Sequence, residues 1–107
     1  MVYQRMIKST KSKAVVRSLV TQSARRTLIR VQNGHCPYCS VSLDYVASSI
    51  DHVWPMALGG FDGMGNWIAC HRRCNERKKH RLPTVCELLY LFHVNEILGV
   101  PTKTKGN

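Results

Sequence analysis

The sequence predicts a small α+β domain: a core of two short strands flanked by an N-terminal and a C-terminal helix. Three observations predict it. The chain has 107 residues, which is one domain (1–107) at the small end of what a single apolar core stabilises, so an added staple is expected. Helical patterning occupies 14–33 and 84–99, with short β-tolerant segments between them. Of the five cysteines, Cys36 and Cys39 form one tight cluster and Cys70 and Cys74 another.

The elements follow in chain order. Residues 1–13 are polar and basic with few apolar anchors and read as a loose arm. From Ala14 to Gln32, Val16, Leu19, Val20, Ala24, Thr27 and Val31 fall on one side at helical spacing, and Asn33-Gly34 ends the run as a helix C-terminus does. Leu28 and Ile29 widen the apolar arc. His35-Cys36-Pro37-Tyr38-Cys39 is a tight turn. A β-tolerant stretch leads into Asp51-His52-Val53, a Gly-rich loop follows, and Trp67-Ile68-Ala69 suits a second strand. From Cys74 the residues NERKKHR suit a helix. Residues 34–81 therefore form the core.

The C-terminal helix has explicit punctuation. Thr84 and Glu87 make a capping box, Gly99 supplies the left-handed stop and Pro101 blocks extension. Val85, Leu88, Leu89, Leu91, Phe92, Val94, Ile97 and Leu98 make it apolar nearly all round, so it must be covered. The N-terminal helix is the expected cover, and a second copy of the chain, as a homodimer, is the alternative. Cys86 on this helix reads as a buried free thiol.

Sixteen Lys and Arg oppose six Asp and Glu, giving a net charge of +10. No acidic residue precedes Asp44. Such a balance calls for a polyanionic partner, nucleic acid first. Arg25, Arg26 and Arg30 on the first helix, with Arg72, Arg73, Arg77, Lys78 and Lys79 after the thiols, are the candidate phosphate contacts; a plain solvated face is the blander reading. There is no basic amphipathic helix with aromatic anchors, no apolar run long enough to span a bilayer and no apolar signal segment at the start. An intracellular, cytoplasmic setting is expected, where paired cysteines serve as metal ligands sooner than as disulfides.

Zinc takes four nitrogen or sulfur ligands in a tetrahedron. Cys36 and Cys39 supply a C-x2-C knuckle. For the second pair, Cys70 with Cys74 competes with His71 with Cys74. The latter repeats the x2 spacing, which lets one turn aim two ligands at one ion, so Cys36, Cys39, His71 and Cys74 are favoured, with Cys70 facing inward as a small apolar residue and as the alternative to His71.

Asp51 and Asn75 offer hard oxygen ligands suited to Mg²⁺. Asn75 directly follows Cys74, so a helix opening there places it beside the same space. His52 could take a proton from water, and Asn66 could hold the loop and bond the imidazole or a carbonyl that fixes its tautomer. Each part alone is ordinary: Asp-His pairs are usually structural and Asn66 would pass as a turn residue.

Taken together, "CPYC … DHVWPMALGG … N … HRRCNERK" resembles the HNH endonucleases of the ββα-metal fold, in the zinc-knuckle branch. The resemblance covers Gly34 to about Lys79. It has the C-x2-C, the Asp-His-Val-x-Pro followed by Gly-Gly, the Asn, and a second x2 pair followed by Asn75. His71 stands where the family more often has cysteine, and Asn75 ends the motif in place of histidine. The resemblance implies a treble-clef-like ββα-metal core and hydrolysis of phosphodiester bonds in DNA. His52 would be the general base, Asp51 and Asn75 the ligands of one catalytic Mg²⁺ or Mn²⁺, Asn66 the residue that orients the loop and His52, and the products would carry 5′ phosphates. The same chemistry would serve RNA or structured DNA. The alternative is a non-catalytic zinc-finger module that binds nucleic acid or scaffolds an assembly, which needs the four zinc ligands and the basic clusters only.

Overall fold

The computed structural model describes residues 10–104. Of the expected basic arm, residues 1–9 lie outside this range. The remainder is not a loose arm, because helix α1 already begins at Thr10 and runs to Val31. It stops where Asn33 and Gly34 both take positive φ (56° and 68°), and the Gly34 N–H donates to Ile29 O at 2.8 Å, the closure expected of a left-handed helix end.

Strand β1 (Ser48–His52) pairs antiparallel with β2 (Trp67–His71), in a register that opposes Ser48 to His71 and His52 to Trp67. Helix α2 (Arg72–Lys78) follows β2 without a linker, and α3 spans Val85–Leu98. The order is thus helix, strand, strand, short helix, helix: the small α+β architecture with a ββα core and two flanking helices.

Every residue of β2 is buried. Trp67 and Ala69 pack with Leu28 and Ala24 of α1, while Ile68 packs with Val53 and Leu91 of α3. A strand covered on both faces reads as a continuous apolar run, as WIAC does. The buried stripe of α1 is Ala24 and Leu28, continued by Gln32 just past its end, and Val16, Leu19 and Val20 are exposed. The expected apolar face therefore holds only in the second half of the helix. The reason is reach: the sheet is five residues wide in strand length, and α1, at 22 residues, overshoots it.

Gln32 fixes α1 to the sheet. Its side chain accepts from the Ala69 N–H and donates to the Ala69 carbonyl, both at 2.8 Å. On the outer edge of β1, Arg25 donates to Ser48 O at 3.0 Å, Asn75 to Ile50 O at 3.2 Å and Lys78 to His52 O at 3.1 Å.

In α3 the capping box is present in both directions, and Gly99 closes the helix at φ 73°. The cover is partial. Leu91, Val94 and Asn95 are buried, but Val85, Leu89, Phe92 and Ile97 are exposed, and so is Cys86, which is not the buried thiol expected. The helix leans on α1 and β2 along one side only. Among the described residues no helix is long and apolar enough to cross a membrane.

Candidate active site and metal centre

The turn after α1 builds one half of a metal centre. Leu43 N–H donates to Gly34 O (2.7 Å) and Cys36 N–H to Val41 O (3.0 Å), closing a small hairpin around Cys36 and Cys39. The β2–α2 junction builds the other half: His71 ends β2 and caps α2, and Cys74 lies one turn inside. Ligand atoms of Cys36, Cys39, His71 and Cys74 all lie within 4.8 Å of one another. Tetrahedral Zn–S bonds of about 2.3 Å require sulfurs about 3.8 Å apart, so the donor set and its spacing fit zinc. His71 Nε2 donates to Ser42 O at 3.0 Å, which leaves Nδ1, 3.3 Å from Cys39 Sγ, as the metal-facing nitrogen. The Cys39 thiol is drawn down to about 7, first by a backbone hydrogen bond at Val41, whereas burial pushes Cys74 up to about 11. Cys70 lies outside the cluster. It is fully buried, its sulfur 3.9 Å from Ser49 Oγ, and burial followed by the Asp51 charge holds it in the thiol form.

Because Asn75 follows Cys74, the same turn of α2 faces the sheet. Asp51, His52 and Asn75 line one cavity of about 250 Å³, with Ile50, Pro55, Met56, Lys79 and His80. Asn75 uses Nδ2 for both of its bonds, to Ser49 Oγ and Ile50 O (each 3.2 Å), so Oδ1 is the atom left for a ligand. Asp51 is 3 % exposed. Tyr38 donates to its Oδ2, and Lys78 Nζ lies 3.3 Å from Oδ1 and 3.2 Å from Oδ2. Burial raises the carboxyl's pKa, and the Tyr38 and Lys78 contacts offset that only in part. An ionised carboxylate has about four acceptor sites, which Tyr38 and Lys78 do not fill.

Residues 36–87, from the first knuckle cysteine to the capping-box glutamate, match the profile of a family described as HNH endonuclease. Over this segment the chain is similar to the HNH endonucleases. The crystal structure of the Type II-C Cas9 enzyme from Actinomyces naeslundii is similar over 78% of this chain, at 25% identity and a TM-score of 0.54. This chain spans 8% of that enzyme's length. No curated protein matches the chain in sequence.

Within the matched segment some residues meet expectation only in part and others not at all. Asn66 holds the loop as expected but makes no hydrogen bond to His52. It is fully buried, its Oδ1 accepts from Trp54 N–H (2.9 Å), and its Nδ2 donates to Trp54 O (2.9 Å) and Phe61 O (2.7 Å). It is the pin of the 54–66 loop, and three backbone groups on that loop have no better partner. Lys78 is not a phosphate contact. It is 4 % exposed and spends its ammonium on Asp51 and on the carbonyls of His52 and Val53, because it lies one turn after the inward-facing Cys74. Arg25 is largely committed as well, donating to Ser48 O and stacking 4.2 Å from the Tyr45 ring centre. Arg26 stacks on the same ring at 4.3 Å but stays exposed, as do Arg30, Arg72, Arg73, Arg77 and Lys79.

Sequence reasoning missed Asp62 and Arg17. Asp62 Oδ1 is 2.8 Å from His52 Nε2, and Arg17 of α1 grips both Asp62 oxygens at 3.0 Å. Burial pushes the Asp62 carboxyl up, but His52 and Arg17 together bring it below its ordinary value. The available signal was a lone acid in a Gly-rich loop of a chain with only six acids.

Proposed function

We propose that this chain is a zinc-stapled, divalent-metal-dependent endonuclease that hydrolyses phosphodiester bonds in DNA. The observation that carries the reading is the single cavity shared by Asp51, His52 and Asn75. His52 takes the proton of the attacking water as its oxygen bonds to phosphorus, and the P–O3′ bond breaks to leave a 5′ phosphate. A divalent ion, Mg²⁺ or Mn²⁺, held by Asp51 and Asn75 would bind the scissile phosphate and stabilise charge on the leaving 3′ oxygen. Asn75 is aimed by its two bonds to β1, and Asn66 keeps the loop that carries Asp62 folded back beside β1. Zinc at Cys36, Cys39, His71 and Cys74 holds the β2–α2 junction, and with it Asn75. These reduced thiols suit an intracellular setting.

Arg26, Arg30, Arg72, Arg73, Arg77 and Lys79 supply phosphate contacts that position the duplex without reading bases. Affinity then falls steeply with salt, with a log–log slope of about −0.9 per phosphate neutralised. The exposed stripe Val85, Leu89 and Phe92 is the surface through which two copies would pair, and sedimentation of the purified chain tests this.

The deciding experiment incubates the zinc-loaded protein with supercoiled plasmid and Mg²⁺ or Mn²⁺, against a chelator control and His52→Ala. Metal-dependent nicking that His52→Ala lowers to a small residual rate is expected. Gel-shift binding with no nicking under any divalent ion, unchanged by Asp51→Ala, would make the chain a non-catalytic binding module. Parallel arms with RNA and branched DNA identify the preferred shape of substrate.

A further inference from the structure

The imidazole of His52 is held by a carboxylate that is itself gripped from outside the matched segment. Its Nε2 faces Asp62 Oδ1 at 2.8 Å, and the ring meets Trp67 edge-on, centroids 6.3 Å apart at 83°. Asp62 is in turn gripped by both terminal nitrogens of Arg17, whose guanidinium also lies 5.8 Å from the Trp67 ring centre. Arg17 belongs to α1, nineteen residues before the matched segment begins at Cys36. Among the described residues Nδ1 of His52 has no protein partner, and the ring lines the cavity that holds Asp51 and Asn75.

We propose that Asp62 is a positioning residue for His52: its carboxylate accepts the Nε2–H, so that the ring presents the lone pair of Nδ1 to water in the cavity, and Arg17 locks Asp62 in that place. The inference rests on the reading of His52 as the group that activates water. The chemistry requires such a partner. A neutral imidazole carries its proton on either nitrogen, and only the one with a lone pair toward the water can act as base; a carboxylate on the other side selects that tautomer. The loop alone would leave Asp62 free to turn into solvent, since its side chain is 32 % exposed. A bidentate guanidinium fixes both its oxygens in one plane, and the aromatic face of Trp67 fixes the guanidinium. The N-terminal helix thereby takes part in the geometry of the cleft.

The test is a double-mutant cycle on plasmid nicking with a kcat and KM readout. Asp62→Ala is expected to lower kcat on the order of 10- to 100-fold with KM nearly unchanged, as misplaced catalytic groups do. Asp62→Glu restores part of the loss, and Arg17→Gln gives a smaller decrease of the same kind. In the His52→Ala background Asp62→Ala changes nothing, whereas a merely structural role lowers both backgrounds equally. A second readout needs no turnover: the imidazole ¹⁵N shifts of His52 report an Nε2–H tautomer in the native chain and a mixture in Asp62→Ala. A kcat in Asp62→Ala equal to or above native, or an unchanged tautomer, overturns the inference. If His52→Ala itself cuts normally, the functional reading fails instead, so the two failures are distinguishable.

Discussion

Replacing Asn66 by alanine separates a structural from a chemical role. The amide makes three bonds, at 2.9, 2.9 and 2.7 Å, to Trp54 N–H, Trp54 C=O and Phe61 C=O. The side chain is fully buried, and alanine supplies none of these partners. An intact bond contributes about 1 kcal/mol net, and a buried group left without one costs about 1–3 kcal/mol. Trp54 is only half-buried, so water recovers part of this, and the loss is about 3 kcal/mol. For a domain of this length, with total stability of about 5–15 kcal/mol, that is a large fraction. Urea unfolding in excess zinc measures it, and hydrogen exchange at the Trp54 amide localises it. The exchange should accelerate by about 100-fold, since 1.4 kcal/mol corresponds to tenfold and water access caps the effect. Native stability and native Trp54 exchange in Asn66→Ala, together with lost nicking, would refute the reasoning and return Asn66 to the chemistry.

Other outcomes follow from the same contacts. Lys78→Ala strands a buried carboxylate and should cost about 3–5 kcal/mol, while Lys78→Met combined with Asp51→Asn restores most of it; equal loss in both, by urea titration, would contradict the pairing. Structural zinc contributes about 10–16 kcal/mol, more than most of the stability of a small domain, so a chelator should unfold the chain, and elemental analysis should find one zinc per chain. Cys39→Ser and His71→Ala should lose it and Cys70→Ala keep it; the reverse pattern would reassign the fourth ligand. Glu87 is drawn below its ordinary value of 4.5, first by hydrogen bonds from Arg81. Its folded pKa is depressed, so its stabilisation is full above that value and lost as pH falls through the folded one. The difference in stability between native and Glu87→Gln should therefore shrink on acidification below about 4.5, and a pH-independent difference would count against it.

What could be read in advance follows a physical rule. Local patterns were legible: the Thr84–Glu87 box, the Gly99 stop, the two x2 spacings and the helix end at Asn33-Gly34 are each set by residues within one turn of each other. That Asp51, His52 and Asn75 share one cavity was legible through a motif that fixes order and spacing. Contacts set by tertiary reach were not. Nothing near Arg17 in sequence points to Asp62, which lies 45 positions away. Burial of Lys78 depends on which way α2 faces. That could have been deduced, because a residue four after an inward cysteine shares its side of a helix, and the same rule puts Lys79 with Asn75 at the cavity. The extent of the α1 core face depended on the length of the strands beneath it.

The edges of the two-stranded ribbon carry a last consequence. Short isolated ribbons are open templates on both sides, and an unfilled row of N–H and C=O groups recruits strands from other molecules. Here Gln32 occupies one border at Ala69, while Arg25, Asn75 and Lys78 occupy alternate carbonyls of the other. The ribbon is hemmed by amides and cations that can neither extend it nor let a neighbour do so. A domain with so few strands thus closes its sheet edges to strand addition, where a bare hairpin would seed fibres.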